Sequence, residues 1–469
     1  MITSPAFRGR RYAVLGLARS GLATVEALVA SGAEVTAWDS KEEARNRLAP
    51  LLQGRGWGGE CSPSAPETTT PTPNPSPEGE GLKIADPLEI DLAGYDGVVV
   101  SPGVPLNTHP IAAKAREAGV PVIGDIELFA QARASLPPHK VVGITGTNGK
   151  STTTALIHHI LTSAGIPAEM GGNIGLPILA QDPLPEGGVY VLELSSYQID
   201  LTFSLDCDVA VLTNVTPDHL DRYDDFDAYA ASKLRLFKMQ SFEHVGVTIG
   251  EDSFEQRLVT ATDGGPRHWW LVPQAPRFSL GNQAEWPCLQ GPHNGMNAAM
   301  AIVACSALGD LMRRKDLNEP AIVGSLPSFK GLPHRMERVA EKHGILFVND
   351  SKATNPDSTA PALAAYPHIH WIVGGLAKTK DLGPCEAQLG HVRAAYTIGD
   401  SGPMFAQLLQ DRVPAIEQSG TLDIAVKDAA RAAKAGEVVL LSPACSSFDQ
   451  FKDYEARGQA FRDAVGALS

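Results

Sequence analysis

The chain has 469 residues, 43% of them hydrophobic and 20% charged, enough for roughly three domains with cores of their own. Its formal net charge of −14 argues against broad nucleic-acid binding, so no nucleic-acid partner is expected. No run approaches about 18 apolar residues and the first residues lack an apolar leader core, so no membrane insertion is expected and a cytoplasmic location fits.

The six cysteines, Cys61, Cys207, Cys288, Cys305, Cys385 and Cys445, form no C-x-x-C pair. A disulfide framework or a cysteine metal cluster is therefore not expected.

Arg11–Leu15 reads as a strand, Gly16-Leu17-Ala18-Arg19-Ser20-Gly21 as a turn, Leu22–Ser31 as a helix, and Val35–Asp39 as a second strand. Ala18 replaces the middle glycine of the dinucleotide fingerprint, so NAD binding is poorly supported. The helix N-terminus can still seat a diphosphate, and Asp39 is placed to accept from a ribose or base. A Rossmann-like loop that binds nothing is the bland alternative. Residues 58–81 are rich in Pro, Ser, Thr and Glu and read as a disordered surface insertion rather than a docking ligand. Gly97–Gly103 is a strand and turn, Ile111–Ala118 a helix, and Leu136-Pro137-Pro138-His139 a linker.

Val141–Thr152 then gives an apolar strand, a glycine-rich turn and Lys-Ser-Thr before a helical run. Gly143, Gly146 and Gly149 are expected to turn backbone N–H groups around phosphate oxygens, next to a helix N-terminus. Lys150 would reach the β/γ-phosphates of ATP, and the Ser151 hydroxyl is placed for Mg²⁺. The strict pattern G-x-x-x-x-G-K-[ST] wants glycine where this chain has Ile144. Further on, Val189–Ser196 is a buried strand carrying Glu193, and Val209–Asn214 is another, followed by an acidic turn with His219. Glu193 and His219 are candidate Mg²⁺ ligands, although a lone loop histidine is usually structural. Tyr229–Phe237 reads as an amphipathic helix on which Lys233 would ordinarily be solvated. Asn294 and Asn297, three apart at a helix start, share one face and cap the helix or bond a base.

In the last third, strands are read at Ile345–Asp350, His370–Gly375, Ala394–Gly399 and Glu437–Pro443, alternating with helices. The fold expected is α/β in three domains. These are a Rossmann-like domain at 1–138, a central P-loop ATPase-like domain at 139–331 and a Rossmann-like domain at 332–469.

The run Thr145–Thr152, with His293-Asn294 through Asn297, Gly331–Arg335 and Asp350-Ser351-Lys352, resembles the Mur ligases, ATP-dependent amide-forming enzymes of peptidoglycan precursor synthesis. Asn349–Pro356 and Leu441–Phe451 resemble the family's glutamate-adding members. The resemblance implies UDP-N-acetylmuramoyl-L-alanine and D-glutamate as substrates, ATP and Mg²⁺ as cofactors, and a monomer. It assigns Gly143, Gly146, Thr147, Asn148, Gly149, Lys150, Ser151, Thr152, Asn294, Asn297, Arg335 and Asp350 to ATP. Ser151, Glu193, His219 and Lys233 (as a carbamate) would hold Mg²⁺, with Lys150, His219 and Lys233 catalytic. Gly16, Leu17, Ala18, Arg19, Ser20, Gly21, Asp39, Ser101, Gly103 and Asn173 fall to the UDP-substrate. Lys352, Thr354, Lys378, Ser447 and Phe448 fall to glutamate. An L-glutamate-adding ligase, a folylpolyglutamate-synthase-like ligase and a non-catalytic nucleotide-binding protein are the alternatives. The first domain argues against the second of these, and Lys150, Glu193, His219 and Lys233 together argue against the third.

Overall fold

The computed structural model describes residues 1–52, 81–218, 222–250, 253–260, 265–266, 268–273 and 282–468. His219, and the insertion read at 58–81 except Gly81, lie outside the described residues. The described residues fall into two compact units, Met1–Lys150 with Gly165–Leu271, and Ser151–Ala164 with Val272–Ser469.

The first unit holds two sheets. In the first, β1 (Arg11–Leu15), β2 (Glu34–Trp38), β3 (Leu82–Ile84), β4 (Gly97–Val100) and β5 (Val122–Ile123) lie in the order β3-β2-β1-β4-β5. Every pair is parallel. Such strands are buried on both faces, which explains runs such as Val98-Val99-Val100. Leu15 pairs with Trp38 on one side and Val100 on the other. The chain leaves all three strand ends side by side, so Gly16, Asp39 and Ser101 meet at the switch point of the sheet.

The second sheet comprises β6 (His139–Thr145), β7 (Ala168–Gly172), β8 (Gly188–Glu193), β9 (Val209–Leu212), β10 (Val245–Ile249) and β11 (His268–Val272), in the order β11-β10-β9-β6-β8-β7. Ile144 pairs with Glu193 and Thr145 with Leu212. That register puts the glycine-rich turn after β6 beside Glu193 and Thr213.

The second unit carries β12 (Glu337–Lys342), β13 (Ile345–Asn349), β14 (Ile369–Gly374), β15 (Val392–Ile398), β16 (Ile416–Gly420) and β17 (Val438–Leu441), ordered β12-β13-β17-β14-β15-β16. β12 is antiparallel to β13, joined to it by a tight turn through His343 and Gly344 with positive φ. The pairs β13–β17, β14–β17, β14–β15 and β15–β16 are parallel. Two cores flank this sheet, one around Trp371 and Phe405 and the other around Phe347 and Phe461. By length and composition alone the helix Pro292–Met312 is apolar enough to cross a membrane, although Asn294, Asn297, Ser306 and Asp310 break its apolar run. It is mostly buried inside the protein, as a core helix is. The helices Asp125–Ala132 and Tyr454–Gly466 were not foreseen.

Candidate active site

The turn after β6 is strapped to the segment after β9. Thr147 N donates to Asn214 O at 2.8 Å and Asn148 N to Asn214 Oδ1 at 2.9 Å. Asn148 O accepts from Thr213 Oγ1 at 2.7 Å and Asn214 Nδ2 at 3.0 Å. Gly146 sits at φ +143°, and a Cβ there would collide with Thr213 Oγ1. Only glycine lets the two segments approach this closely. The sequence reading missed Thr213 and Asn214; their signal is a polar pair directly after an apolar strand.

Gly143 needs correction. It lies inside β6, paired with Leu192 and Ala210, and its own Cβ would meet Cys207 Sγ at 2.6 Å. It is a packing glycine of the sheet, and its N–H is not part of the turn.

Two lysine side chains converge on one carbonyl. Lys150 Nζ donates to Gly146 O at 2.9 Å and Thr147 O at 2.8 Å, and Lys233 Nζ donates to Gly146 O at 3.0 Å. Lys233 is buried, not solvated, with its Nζ 4.4 Å from the centre of the Tyr229 ring. Burial pushes Lys233 down to about 7, and the charge of Lys150 pushes the same way. The helix Phe226–Lys238, capped by the Asp225 carboxylate on Ala228 N, sets this position.

Glu193 ends β8 and is buried. Its Oε1 accepts from Asn173 Nδ2 at 3.2 Å, while Oε2 is buried with no hydrogen-bond partner. An orphaned carboxylate oxygen suits a cation. No group of three or more His, Cys, Asp or Glu side chains able to hold a metal occurs among the described residues. Any ion here would need other donors.

At the first sheet, Gly16 N donates to Trp38 O at 2.8 Å and Ser101 Oγ to Gly16 O at 2.8 Å. The Asp39 carboxylate accepts from Leu17 N at 2.7 Å and Lys41 N at 2.9 Å. Asp39 thus holds the turn, where a ribose or base contact was expected. The helix begins at Arg19, with Ala18 as N-cap and no side-chain cap bond. Arg19, Ser20 and Gly21 are therefore in its first turn, and Arg19 reaches Gly175 O at 3.2 Å. Below them Asp125 is fully buried, and that burial raises its carboxyl to about 6. Gly103 follows in the turn after β4.

In the second unit Ser151 and Thr152 are buried in the first turn of their helix. Arg335 Nη2 lies 3.4 Å from Ser151 Oγ. Asn297 Nδ2 donates to Asn294 Oδ1 at 3.1 Å, and Asn294 Nδ2 to Gln290 O at 3.0 Å. Gly291 is the N-cap and has no side-chain cap bond, so neither asparagine caps this helix. Asp350 accepts from Ser442 Oγ at 2.8 Å and Met336 N at 3.1 Å. Burial raises its carboxyl to about 7 against the pull of Ser442 and Arg335.

Arg457, not foreseen, is buried and ties two turns together. It donates to Ser351 Oγ (3.0 Å) and O (2.8 Å), and to Cys445 O (3.0 Å) and Ser446 O (3.3 Å). These are the neighbours of Lys352 and Ser447. Lys352 has its Nζ 5.6 Å from the Tyr454 ring centre. Leu376 and Ser446 exchange backbone hydrogen bonds at 3.0 and 3.1 Å, which carries the Lys378 loop alongside. Thr354 is half-buried, Ser447 buried, and Lys378 and Phe448 exposed.

Chemically, the first unit offers a cation-lined glycine turn beside a buried carboxylate, and the second an Asn/Arg/Asp group and a Lys/Ser group. Comparison with known proteins gives this arrangement a context. The Mur ligase middle domain matches residues 144–269, and the Mur ligase glutamate ligase domain matches residues 334–445. A UDP-N-acetylmuramoylalanine–D-glutamate ligase of Novosphingobium aromaticivorans is 58% identical over 470 residues, covering 100% of this chain and 97% of that protein. Its namesakes from Sphingopyxis alaskensis (57% over 473 residues, 100% of both chains) and Zymomonas mobilis (54% over 472 residues, 100% of both chains) are similarly related. Among solved structures, the UDP-N-acetylmuramate-alanine ligase of Thermotoga maritima matches with TM-score 0.55 at 18% identity, covering 98% of this chain and 99% of that one. The MurF ligase of Thermotoga maritima in complex with ADP matches with TM-score 0.56 at 16% identity, covering 98% and 96%. At these identities the two structures speak for the α/β fold alone.

Proposed function

The chain belongs to the Mur ligase family, and we propose on that premise that it joins D-glutamate to UDP-N-acetylmuramoyl-L-alanine, with conversion of ATP to ADP and phosphate. This is a carbon–nitrogen ligation in peptidoglycan precursor synthesis, carried out by a monomer. The carrying observation is the end-to-end likeness to D-glutamate ligases. The geometry of Lys150, Lys233 and Glu193 supports its phosphoryl-transfer half. It favours neither an L-glutamate ligase nor a folylpolyglutamate-synthase-like one.

We assign residues 1–138 to the UDP-substrate, 139–331 to ATP and 332–469 to glutamate. The carboxylate of the L-alanyl group is a poor electrophile, so it first takes the γ-phosphoryl of ATP. The acyl phosphate is then attacked by the neutral amine of glutamate, and phosphate leaves. Lys150 would exchange its two carbonyl partners for phosphate oxygens. Gly146, Thr147, Asn148, Gly149 and Thr152 would line the phosphates, and Asn294, Asn297, Arg335 and Asp350 the rest of the nucleotide. Ser151, Glu193 through Oε2, a carbamylated Lys233 and His219 would hold Mg²⁺, which when bound neutralises phosphate charge. A buried lysine shifted to about 7 carries a substantial neutral fraction near neutral pH. That is the form that adds CO₂ to give a carbamate and a released proton. Lys352 and Lys378 would pair with the glutamate carboxylates.

The test is phosphate release with UDP-N-acetylmuramoyl-L-alanine, ATP and each glutamate enantiomer. Release with the D form is expected; none with either, or release with the L form alone, overturns the reading.

A further inference from the structure

The turn Ser101–Val104 follows β4 and contains two of the residues assigned above to the UDP-substrate. It is held from outside its own sheet. Arg222, on the segment before the Lys233 helix, donates Nη2 to Gly103 O and Nη1 to Val104 O, both at 3.3 Å. Its guanidinium carbon lies 4.7 Å from the centre of the Tyr197 ring. Tyr197 in turn stacks on Tyr223, with ring centres 6.1 Å apart and planes 12° from parallel. A planar fork that reaches two successive carbonyls while its face rests on an aromatic ring is a task for arginine, which lysine performs poorly.

The contacts continue inward. Tyr223 OH donates to Asp200 Oδ2 at 2.8 Å, and Asp200 Oδ1 accepts from Ser232 Oγ at 2.7 Å. Ser232 directly precedes Lys233 and also donates to Ser196 O at 3.2 Å. Val104, Leu106 and Leu201 line a cleft alongside Tyr197 and Arg222.

We propose that Arg222 is a positioning residue for the UDP-substrate turn. Through Tyr197, Tyr223 and Asp200 it ties that turn to the helix carrying Lys233. This rests on the functional reading above for the role of the turn. A residue that only cross-links the fold would change stability and all kinetic constants together. One that positions this turn changes the constant for one substrate.

The experiment compares Arg222→Lys and Arg222→Met with the unaltered protein. The readouts are KM for UDP-N-acetylmuramoyl-L-alanine, KM for ATP, kcat, melting temperature and amide hydrogen exchange at residues 101–106. In Arg222→Met the KM for the UDP-substrate rises about 10-fold or more, the ATP KM moves less than about 2-fold, and exchange at 101–106 accelerates. Arg222→Lys, the variant more certain to fold, shows the same pattern at about a third of the size. Tyr223→Phe lowers kcat severalfold with little change in the UDP-substrate KM.

Unchanged UDP-substrate KM in both Arg222 variants overturns the proposal. So does a parallel worsening of kcat and of both KM values together with a lower melting temperature. If the unaltered protein itself releases no phosphate, the functional reading has failed. The exchange measurement then decides alone, and unaltered exchange at 101–106 in Arg222→Met overturns the tie.

Discussion

Two strand–turn–helix units in this protein share a topology and differ in chemistry. The turn after β1 is saturated by its neighbours: Trp38 O, Ser101 Oγ and the Asp39 carboxylate bind Gly16 and Leu17. The turn after β6 is strapped by neutral groups, Thr213 and Asn214, but its Gly146 carbonyl accepts from the Lys150 ammonium and from the Lys233 side chain. The first is a rigid seat with its anion built in. The second concentrates positive charge where an anion would arrive. The glycine spacing alone does not separate these outcomes; the charged residue that folds back on each turn does.

The comparison breaks most visibly at the second turn. Lys150→Ala removes the cation at the turn and is expected to lower kcat by at least about 10³-fold, with the far-ultraviolet circular dichroism unchanged. Retained turnover would mean that the charge at this turn is not what acts. Next in size is Lys233→Ala. Turnover falls by about 10²-fold or more, and millimolar short carboxylic acids restore part of it if a carbamate is the working form. Absence of rescue removes the carbamate from the argument and leaves a positioning amine.

Gly146→Ala follows. Its methyl group would strike Thr213, costing about 1–3 kcal/mol of stability, as forced overpacking does, measurable by urea denaturation. A neutral result would show that the strap yields.

At the first turn the effect is smaller. Asp39→Ala frees Leu17 N and should raise the UDP-substrate KM about 3- to 10-fold, with kcat held. A loss of kcat as large as that of the lysine variants would erase the distinction between the turns.

The smallest effect lies at the opposite end of the second sheet. His244 Nδ1 is 2.7 Å from Asp206 Oδ1, and that bond raises the histidine above its ordinary 6.5. A raised folded value means the stabilisation is full below 6.5 and fades as pH climbs through the folded value. Against the upward push of burial, bonds from His244, Ser241 Oγ and Ser241 N hold Asp206 at about 2, so its share is lost only in strong acid. His244→Gln should therefore lower the melting temperature by about 1–3 °C at pH 6 and by less at pH 9. Equal losses at both would assign the effect to packing.

Much of this was legible because it is local. Hydrophobic runs gave the central strands of all three sheets but not β3, β7, β10, β11, β12 or β16, most of which are short, polar or at the sheet edges, and Lys150-Ser151 directly after a glycine turn marked the second turn. What escaped is set by packing between distant segments. Lys233 sits on a helix whose pattern permits a solvated lysine, and only the docking of that helix on the turn buries it. Gly143 fits the glycine spacing of a turn, yet strand pairing on both sides keeps it in the sheet. Arg457 and Arg222 reach carbonyls about a hundred residues away, and nothing in their neighbouring sequence announces it. Asp39 has the place expected of a ligand contact, and the sequence did not show that each of its oxygens also accepts from backbone, at Leu17 N and Lys41 N.

The Gly143 and Cys207 pair has a wider bearing. Two positions 64 residues apart, on Gly143 of one strand and just before its neighbour, share the room of a single side chain. Because Cys207 is fully buried and burial raises its thiol far above the ordinary range, an alkylating reagent reaches it only when the strands part. That sulfur is a built-in clock for how often the sheet beneath the glycine turn comes open.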